Sequence, residues 1–346
     1  MRKYLIIFSS VILMLALAGT GLFAQKKLAQ TGFQFLSVGT NARATAMGEA
    51  FTTFQGSSEA MFYNPAGIGG MTGTVDVTFN QMTWIADIKY QSVTSSFSFR
   101  NGKYGVLGLS YITVDYGEFL WTQVADTKLG YEDIFNNSWS ESNPGIGLPD
   151  PSAHVLGVGY AIQLSDRFTV GGQIKYVYQN LGKSYVPVYA EDDTTFKLKQ
   201  YDKGLPAFDF GTIYQTGFRS LAFGMTVRNF AEEVKYEKEG FQLPLTFRIG
   251  ISMDLFDVLP IDADYHSFMI ALDAVHPRSY PEFFSIGGEY EFMDMMFLRL
   301  GYISNQDQYN FTAGVGFNIF GLGIDYSYMP FSVFDTVNRL SFKFAL

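Results

Sequence analysis

Over residues 339–346 the chain alternates without a break. Leu340, Phe342, Phe344 and Leu346 fall on one face of an extended strand, and Arg339, Ser341, Lys343 and Ala345 on the other, because successive side chains of a strand point to opposite faces. The apolar side is bulky enough to meet lipid. The basic side is tolerable only against water or carboxylates. The core strand of a soluble sandwich is the competing reading. The pattern recurs upstream, at 221–229, 245–253, 284–292, 311–318 and 322–328, always with the charged residues on one side. Beyond the first two dozen residues there is no apolar run near the roughly 20 residues that a membrane helix needs, which excludes a helical bundle membrane protein. Charged residues make up 16% and aromatics 17% of the 346 residues, against about 25% charge in an ordinary soluble chain. The mean hydropathy, +0.07, is close to neutral, as expected where lipid-facing and lumen-facing residues alternate.

These features predict an all-β membrane protein: an antiparallel transmembrane β-barrel of about fourteen strands. The strands are predicted near 74–81, 88–100, 103–115, 152–163, 168–180, 204–214, 219–229, 243–253, 267–275, 282–292, 295–304, 309–318, 320–329 and 337–346. An even count lets the first and last strands pair antiparallel. Short turns such as Asn101-Gly102 and Ser165-Asp166 join several of them, Asn-Gly being a strong hairpin signal. Longer connectors fall at 116–151, 181–203 and 230–242, and such loops are extracellular in barrels of this kind. The first carries Trp121 and Trp139, aromatic anchors of the sort that binding surfaces use, so it is the candidate partner-binding loop. The acidic run Glu191-Asp192-Asp193 in the second could draw Ca²⁺, but a solvated loop is the simpler reading.

The N-terminus reads as an export signal over residues 1–24. Arg2 and Lys3 precede an apolar stretch at 4–17 and a run of mostly small residues to Ala24, the pattern of a cleavable signal peptide. Its removal takes the formal charge from −9 to −11, a balance that disfavours nucleic acid. With no cysteine in the chain, disulfides, thiolate metal sites and a Cys nucleophile are excluded.

Residues 25–73 lack period-two alternation and are rich in Ala, Gly and Met, which suits packing in a confined lumen. Ser57 or Ser58 is placed to cap a short helix, and Pro65 should end it at Asn64. This segment is predicted to be a hatch inside the barrel formed by 74–346. Its pointed residue is Arg43, which inside a lumen needs a carboxylate or carbonyl partner. Glu49, Glu59, Glu289 and Asp325 are the candidates. A clamp between hatch and wall is the favoured role, with gating as the other. Asn64 and Pro65 are expected to fix a turn rather than to touch a ligand.

The stretch Asn41-Ala42-Arg43-Ala44 with Ala46-Met47-Gly48, followed by Ala60-Met61-Phe62-Tyr63 and Asn64-Pro65-Ala66-Gly67, resembles the hatch signature of the PorV/PorQ family, a group of FadL-like outer-membrane barrels. Glu49 stands where such proteins often have a second glycine. The resemblance implies a place in the bacterial outer membrane and a role in type IX secretion. PorV-like members bind the translocon and receive the C-terminal signal domains of cargo. FadL-like relatives instead pass hydrophobic small molecules, which would make the partner a hydrophobic ligand. Outer-membrane lipid is a partner on either reading. Catalysis is not expected: His154, His266 and His276 lie on or beside different strands, and no P-loop, dinucleotide fingerprint, zinc-binding HExxH or EF-hand spacing occurs. No cofactor or metal is expected.

Overall fold

A computed structural model of the chain describes residues 31–100, 102–117, 151–189, 192–258, 265–306 and 308–346. The predicted export signal, Asn101, Trp121, Trp139 and Glu191 lie outside the described residues.

Fourteen antiparallel strands close into a barrel. They are β1 (Val75–Thr83), β2 (Lys89–Ser98), β3 (Val106–Asp115), β4 (Ser152–Ser165), β5 (Phe168–Tyr189), β6 (Asp192–Gln215), β7 (Ala222–Phe230), β10 (Thr246–Asp254), β11 (His266–Pro277), β12 (Phe283–Phe292), β13 (Met296–Ile303), β14 (Phe311–Ile319), β15 (Leu322–Met329) and β16 (Val337–Ala345). Two short strands, β8 (Val234–Lys235) and β9 (Gly240–Phe241), pair with each other outside the barrel. Each barrel strand pairs with its neighbours in the chain, and β1 pairs with β16 from Asp76↔Ala345 to Thr83↔Asn338. Closure gives every barrel strand a hydrogen-bonded neighbour on both sides, which is what lets a sheet cross a bilayer.

The alternation read from the sequence sets the two faces. On β16, Leu340 and Phe342 are 42% and 45% exposed, while Arg339 and Ser341 are 1% and 0% exposed. The same holds on β15, where Tyr326 and Tyr328 face out and Asp325 and Ser327 face in. The polar residues are therefore inside and the apolar ones outside, an arrangement stable only with lipid around it.

The two ends differ. At one end, two of the joins are tight turns, Asp166-Arg167 between β4 and β5 and Phe320-Gly321 between β14 and β15. Both residues of the latter pair have positive φ, 53° and 80°, the geometry that matches the twist of a two-residue hairpin. The connectors 84–88, 231–245, 278–282 and 330–336 lie at the other end, which is also where β3 ends and β4 begins. By the usual polarity of such barrels, the long-loop end faces outward.

The connector expected at 181–203 is strand instead. β4 stops pairing with β5 at Ser152↔Asn180, yet β5 and β6 continue together from Lys183↔Gln200 to Tyr189↔Asp192. Lys183-Ser-Tyr-Val-Pro-Val-Tyr189 and Thr194-Thr-Phe-Lys-Leu-Lys199 are rich in β-branched and aromatic residues, which favour strand. The pair stands roughly 30 Å beyond the rim at about 3.3 Å per residue.

Candidate functional site

The lumen contains the N-terminal segment. Its described part begins at the long-loop end, where Thr31 bridges to Gln242 and the Phe33 ring lies 6.0 Å from that of Phe241. After a 3-10 turn at Gln34–Ser37 comes the helix α1 (Ala42–Ala46), with the Asn41 side chain accepting from the Ala44 amide at 2.9 Å. Five residues are far below the 12–15 that an isolated helix needs, so α1 is held by what surrounds it. Gly48 and Glu49 then both adopt left-handed φ, 63° and 64°. This explains why a glycine would suit position 49. Glu49 is kept there by its contacts: Arg248 Nη1 donates to its carbonyl at 2.8 Å, and Arg248 Nη2 lies 3.5 Å from its carboxylate. Two further 3-10 turns, Ser58–Phe62 and Pro65–Gly70, are capped by Ser57 and Asn64. The break at Asn64 is where Pro65 requires it.

Each predicted residue of the segment meets the wall or braces the segment. Arg43 donates twice to Glu289 on β12, at 2.9 and 2.7 Å. Glu289 also accepts from Arg299 on β13, and Arg299 donates on to Asp325 on β15 at 2.5 Å. Burial by itself would lower the pKa of Arg43; the Glu289 carboxylate outweighs it and holds the value above normal. Asn41 donates to Asn80 on β1 at 3.1 Å, Ser341 on β16 donates to the same oxygen at 2.6 Å, and the Ala42 amide donates to Ser341 at 2.9 Å. The segment thus crosses the β1–β16 seam where the barrel closes. The Gly48 amide donates to Thr312 on β14 at 3.0 Å. Asn64 donates to the carbonyls of Thr52 and Thr212 and accepts from the Ala66 amide. Gly67 closes a turn by donating its amide to the Asn64 carbonyl at 2.9 Å, and its own carbonyl accepts from the Gly56 amide at 2.9 Å.

Two sets of functional residues were missed in the sequence. One is Asp273 on β11, which accepts from the Phe51 and Thr52 amides, both at 3.1 Å, and from the Thr52 hydroxyl at 2.5 Å. The other is a track of inward-facing wall glycines. A Cβ on Gly287 would lie 2.4 Å from the Met47 carbonyl oxygen, one on Gly301 2.0 Å from the Gly48 amide nitrogen, one on Gly171 2.6 Å from the Ala66 amide nitrogen, and one on Gly224 2.6 Å from the Thr52 carbonyl oxygen. The wall is hollowed where the segment's backbone runs. The signal was present for Gly224 and Gly287, which sit on the polar side of the alternating runs 221–229 and 284–292.

Above the segment, toward the long loops, lies a cavity of about 360 Å³. Its apolar lining includes Leu36, Phe283, Ile303 and Met329, and its charged lining is Arg228, Arg248, Arg339 and Glu49. Tyr309 also lines it, and burial pushes its phenol up to about 12. The histidines sit apart from the lumen and from one another. Each pairs with its own neighbour: His154 with Tyr111, His266 with Tyr290, and His276 with Glu282.

A family model described as type IX secretion system membrane protein PorP/SprF matches residues 153–343, more than half of the chain. The chain belongs to the PorP/SprF family. The match runs from β4 to β16, whereas the likeness to PorV/PorQ rests on residues 41–67, which lie before it. No curated protein matches. Among solved structures, the PorP/SprF chain is similar to the Ralstonia pickettii toluene transporter TbuX, at a TM-score of 0.56 and 13% identity over 89% of this chain and 98% of that one. It is also similar to the CymD monoaromatic hydrocarbon channel (0.56, 12%, covering 89% and 98%) and to the Pseudomonas putida toluene transporter TodX (0.53, 11%, covering 93% and 99%). At such identities the likeness is one of fold. Fold and family together place the protein in the outer membrane, with lipid around it and protein partners in the secretion system.

Proposed function

We propose that this barrel serves type IX secretion as a binding component, in the PorV-like manner. Its long-loop end engages the translocon, the C-terminal signal domains of cargo, or both, and the role involves no catalysis. Residues 1–24 direct export and are removed, residues 25–73 act as a hatch, and 74–346 form the barrel. The observation that carries this reading is how the lumen is filled. The N-terminal segment is fastened to β1, β6, β11, β12, β14 and β16 by side-chain hydrogen bonds or ion pairs, so Arg43 acts as a clamp. The β5–β6 hairpin meanwhile projects past the rim. Such a molecule offers partners a surface more readily than it offers solutes a path.

The second reading, transport of hydrophobic small molecules, is favoured by one observation, the partly apolar cavity above the segment. Purification of the tagged protein from outer membranes in mild detergent separates the two. Recovery of a very large barrel translocon, or of proteins sharing a C-terminal signal domain, supports the binding role. A lone barrel carrying bound apolar molecules refutes it in favour of transport.

A further inference from the structure

The cavity above the N-terminal segment carries more positive than negative charge. Arg228 and Arg248 come from adjacent strands, and Arg228 lies opposite Thr246, the inward position next to Arg248. Arg339 reaches in from β16. Among the described residues lining the cavity, Glu49 is the only carboxylate. Two other carboxylates of this part of the lumen lie outside the cavity lining and hold donors of their own, although Asp273 keeps its Oδ1 buried without one. Asp209 accepts from Lys175 Nζ and from the Asn229 amide, both at 2.7 Å, and Asp273 accepts from Thr52 and Phe51.

The three guanidinium groups differ in what they already hold. Arg339 donates from Nε to the Gly39 carbonyl at 2.9 Å and lies 5.3 Å from the Trp84 ring. Arg248 is tied to Glu49, but its Nε is buried without an acceptor. Arg228 also has a buried Nε without an acceptor, and its guanidinium lies 5.8 Å from the Tyr63 ring. A buried donor left unmet costs about 1–3 kcal/mol, more where it is charged, and like charges on neighbouring strands destabilise the pair. An anion placed between Arg228 and Arg248 offsets their like charges, and the guanidinium fork matches a carboxylate with two parallel bonds. The cavity is also lined by Leu36, Phe283, Ile303 and Met329, and its volume of about 360 Å³ lies at the small end of the range for ligand pockets, roughly 300–1,000 Å³.

We infer that this cavity binds a monocarboxylate with a compact apolar body, the carboxylate held by Arg228 and Arg248 and the body packed against Phe283, Ile303 and Met329. Two sources share that chemistry: a free organic acid and the C-terminus of a peptide. The inference stands independently of the secretion role, since co-purification tests that role and direct titration tests this one.

The full-length protein in lipid nanodiscs is titrated calorimetrically with 3-phenylpropionate and with acetyl-Gly-Phe, each beside its C-terminal amide. Saturable one-to-one binding of at least one acid, at least tenfold weaker for its amide, supports the site, and the tighter of the two acids identifies the source. Arg228→Gln, which leaves no carboxylate without its partner, should weaken binding at least tenfold. Glu49→Gln, which removes the competing negative charge, should tighten it. No binding of either acid, equal binding of acid and amide, or an Arg228→Gln protein of unchanged affinity overturns the inference. If Arg228→Gln fails to give the folded, heat-modifiable band, Glu49→Gln decides: tighter binding supports the site, and unchanged or weaker binding overturns it.

Discussion

Gly287 and Gly288 are neighbours on β12 and should respond in opposite ways to the same added methyl group. Gly287 faces the lumen. A Cβ there would lie 2.4 Å from the Met47 carbonyl oxygen and 2.7 Å from the Met47 Cβ. Met47 cannot retreat freely, because Thr312 receives the Gly48 amide at 3.0 Å and donates to the Ala46 carbonyl at 3.1 Å. Overpacking of this kind costs about 1–3 kcal/mol, of which the better strand behaviour of alanine returns about 0.5–1 kcal/mol. The net expected for Gly287→Ala is a loss of about 1–2 kcal/mol. Gly288 faces lipid, and its added Cβ would meet the Phe268 ring at 3.5 Å, an ordinary contact, so Gly288→Ala should gain about 0.5 kcal/mol. The two variants should then differ by about 2 kcal/mol, or about thirtyfold in an equilibrium constant. The strain is local, so the assay is local too. The chain has no cysteine, and Ala50→Cys places one at a fully buried point of the segment. Labelling by a water-soluble maleimide in detergent reports opening of the segment. It should be at least tenfold faster in Gly287→Ala than in Gly288→Ala. Equal rates, or faster labelling in Gly288→Ala, would refute the reasoning that inward glycines are hollows for the segment.

Glu289→Gln leaves Arg43 and Arg299 buried without their shared carboxylate, and a loss of about 3–5 kcal/mol is expected in denaturant unfolding. Arg43→Met leaves Glu289 its second partner, Arg299, and should cost less; the reverse order would show that the ion pairs do not act as one network. Phe342→Arg puts a charge on the lipid-facing side of β16 and should cost about 2–4 kcal/mol if it lies near mid-bilayer, read as lost folding into liposomes, whereas an unchanged yield would count against lipid contact there. Glu237→Cys, in the ribbon at the long-loop end, should react with an impermeant maleimide on intact cells. Lys103→Cys, in the turn between β2 and β3, should react only after lysis, and the opposite result would invert the barrel's orientation.

The wall was legible because its rule is local. Along β10, β14, β15 and β16, and along β7 as far as Arg228, the inward and outward residues follow the alternation, since lipid on one side and a polar lumen on the other act at each position. The β5–β6 extension was not legible in the same way. It carries strand-forming residues without a membrane to impose which face is apolar, so its composition read as loop. The arginine cavity was hidden for a different reason. Arg228, Arg248 and Arg339 each looked like one polar residue on its own strand. Only closure of the barrel, which brings β7, β10 and β16 around the same segment, turns three solitary charges into one site.

Segment and wall also depend on each other in a way that bears on whether the segment moves. Arg43, Thr52 and Asn64 form no stable local structure on their own, as the five-residue helix and the short 3-10 turns show. The wall supplies their partners, across sequence separations of 246, 221 and 148 residues. Conversely, Asp273 draws its three donors from the segment, and Glu289 draws two of its own from Arg43. Removing the segment would therefore expose two carboxylates to whatever replaced it. Water could hydrate them, but only if the lumen opened around both at once, because Asp273 is 0% exposed and Glu289 is 3% exposed. A small displacement gains nothing: it breaks charge-assisted bonds, each worth about 1.5–3 kcal/mol, before water can enter. Motion of the segment should then be all-or-none and driven from outside, and residues 31–39, which lie at the long-loop end and floor the arginine cavity through Gln34, Leu36, Val38 and Gly39, are where a ligand or partner would gain leverage on it.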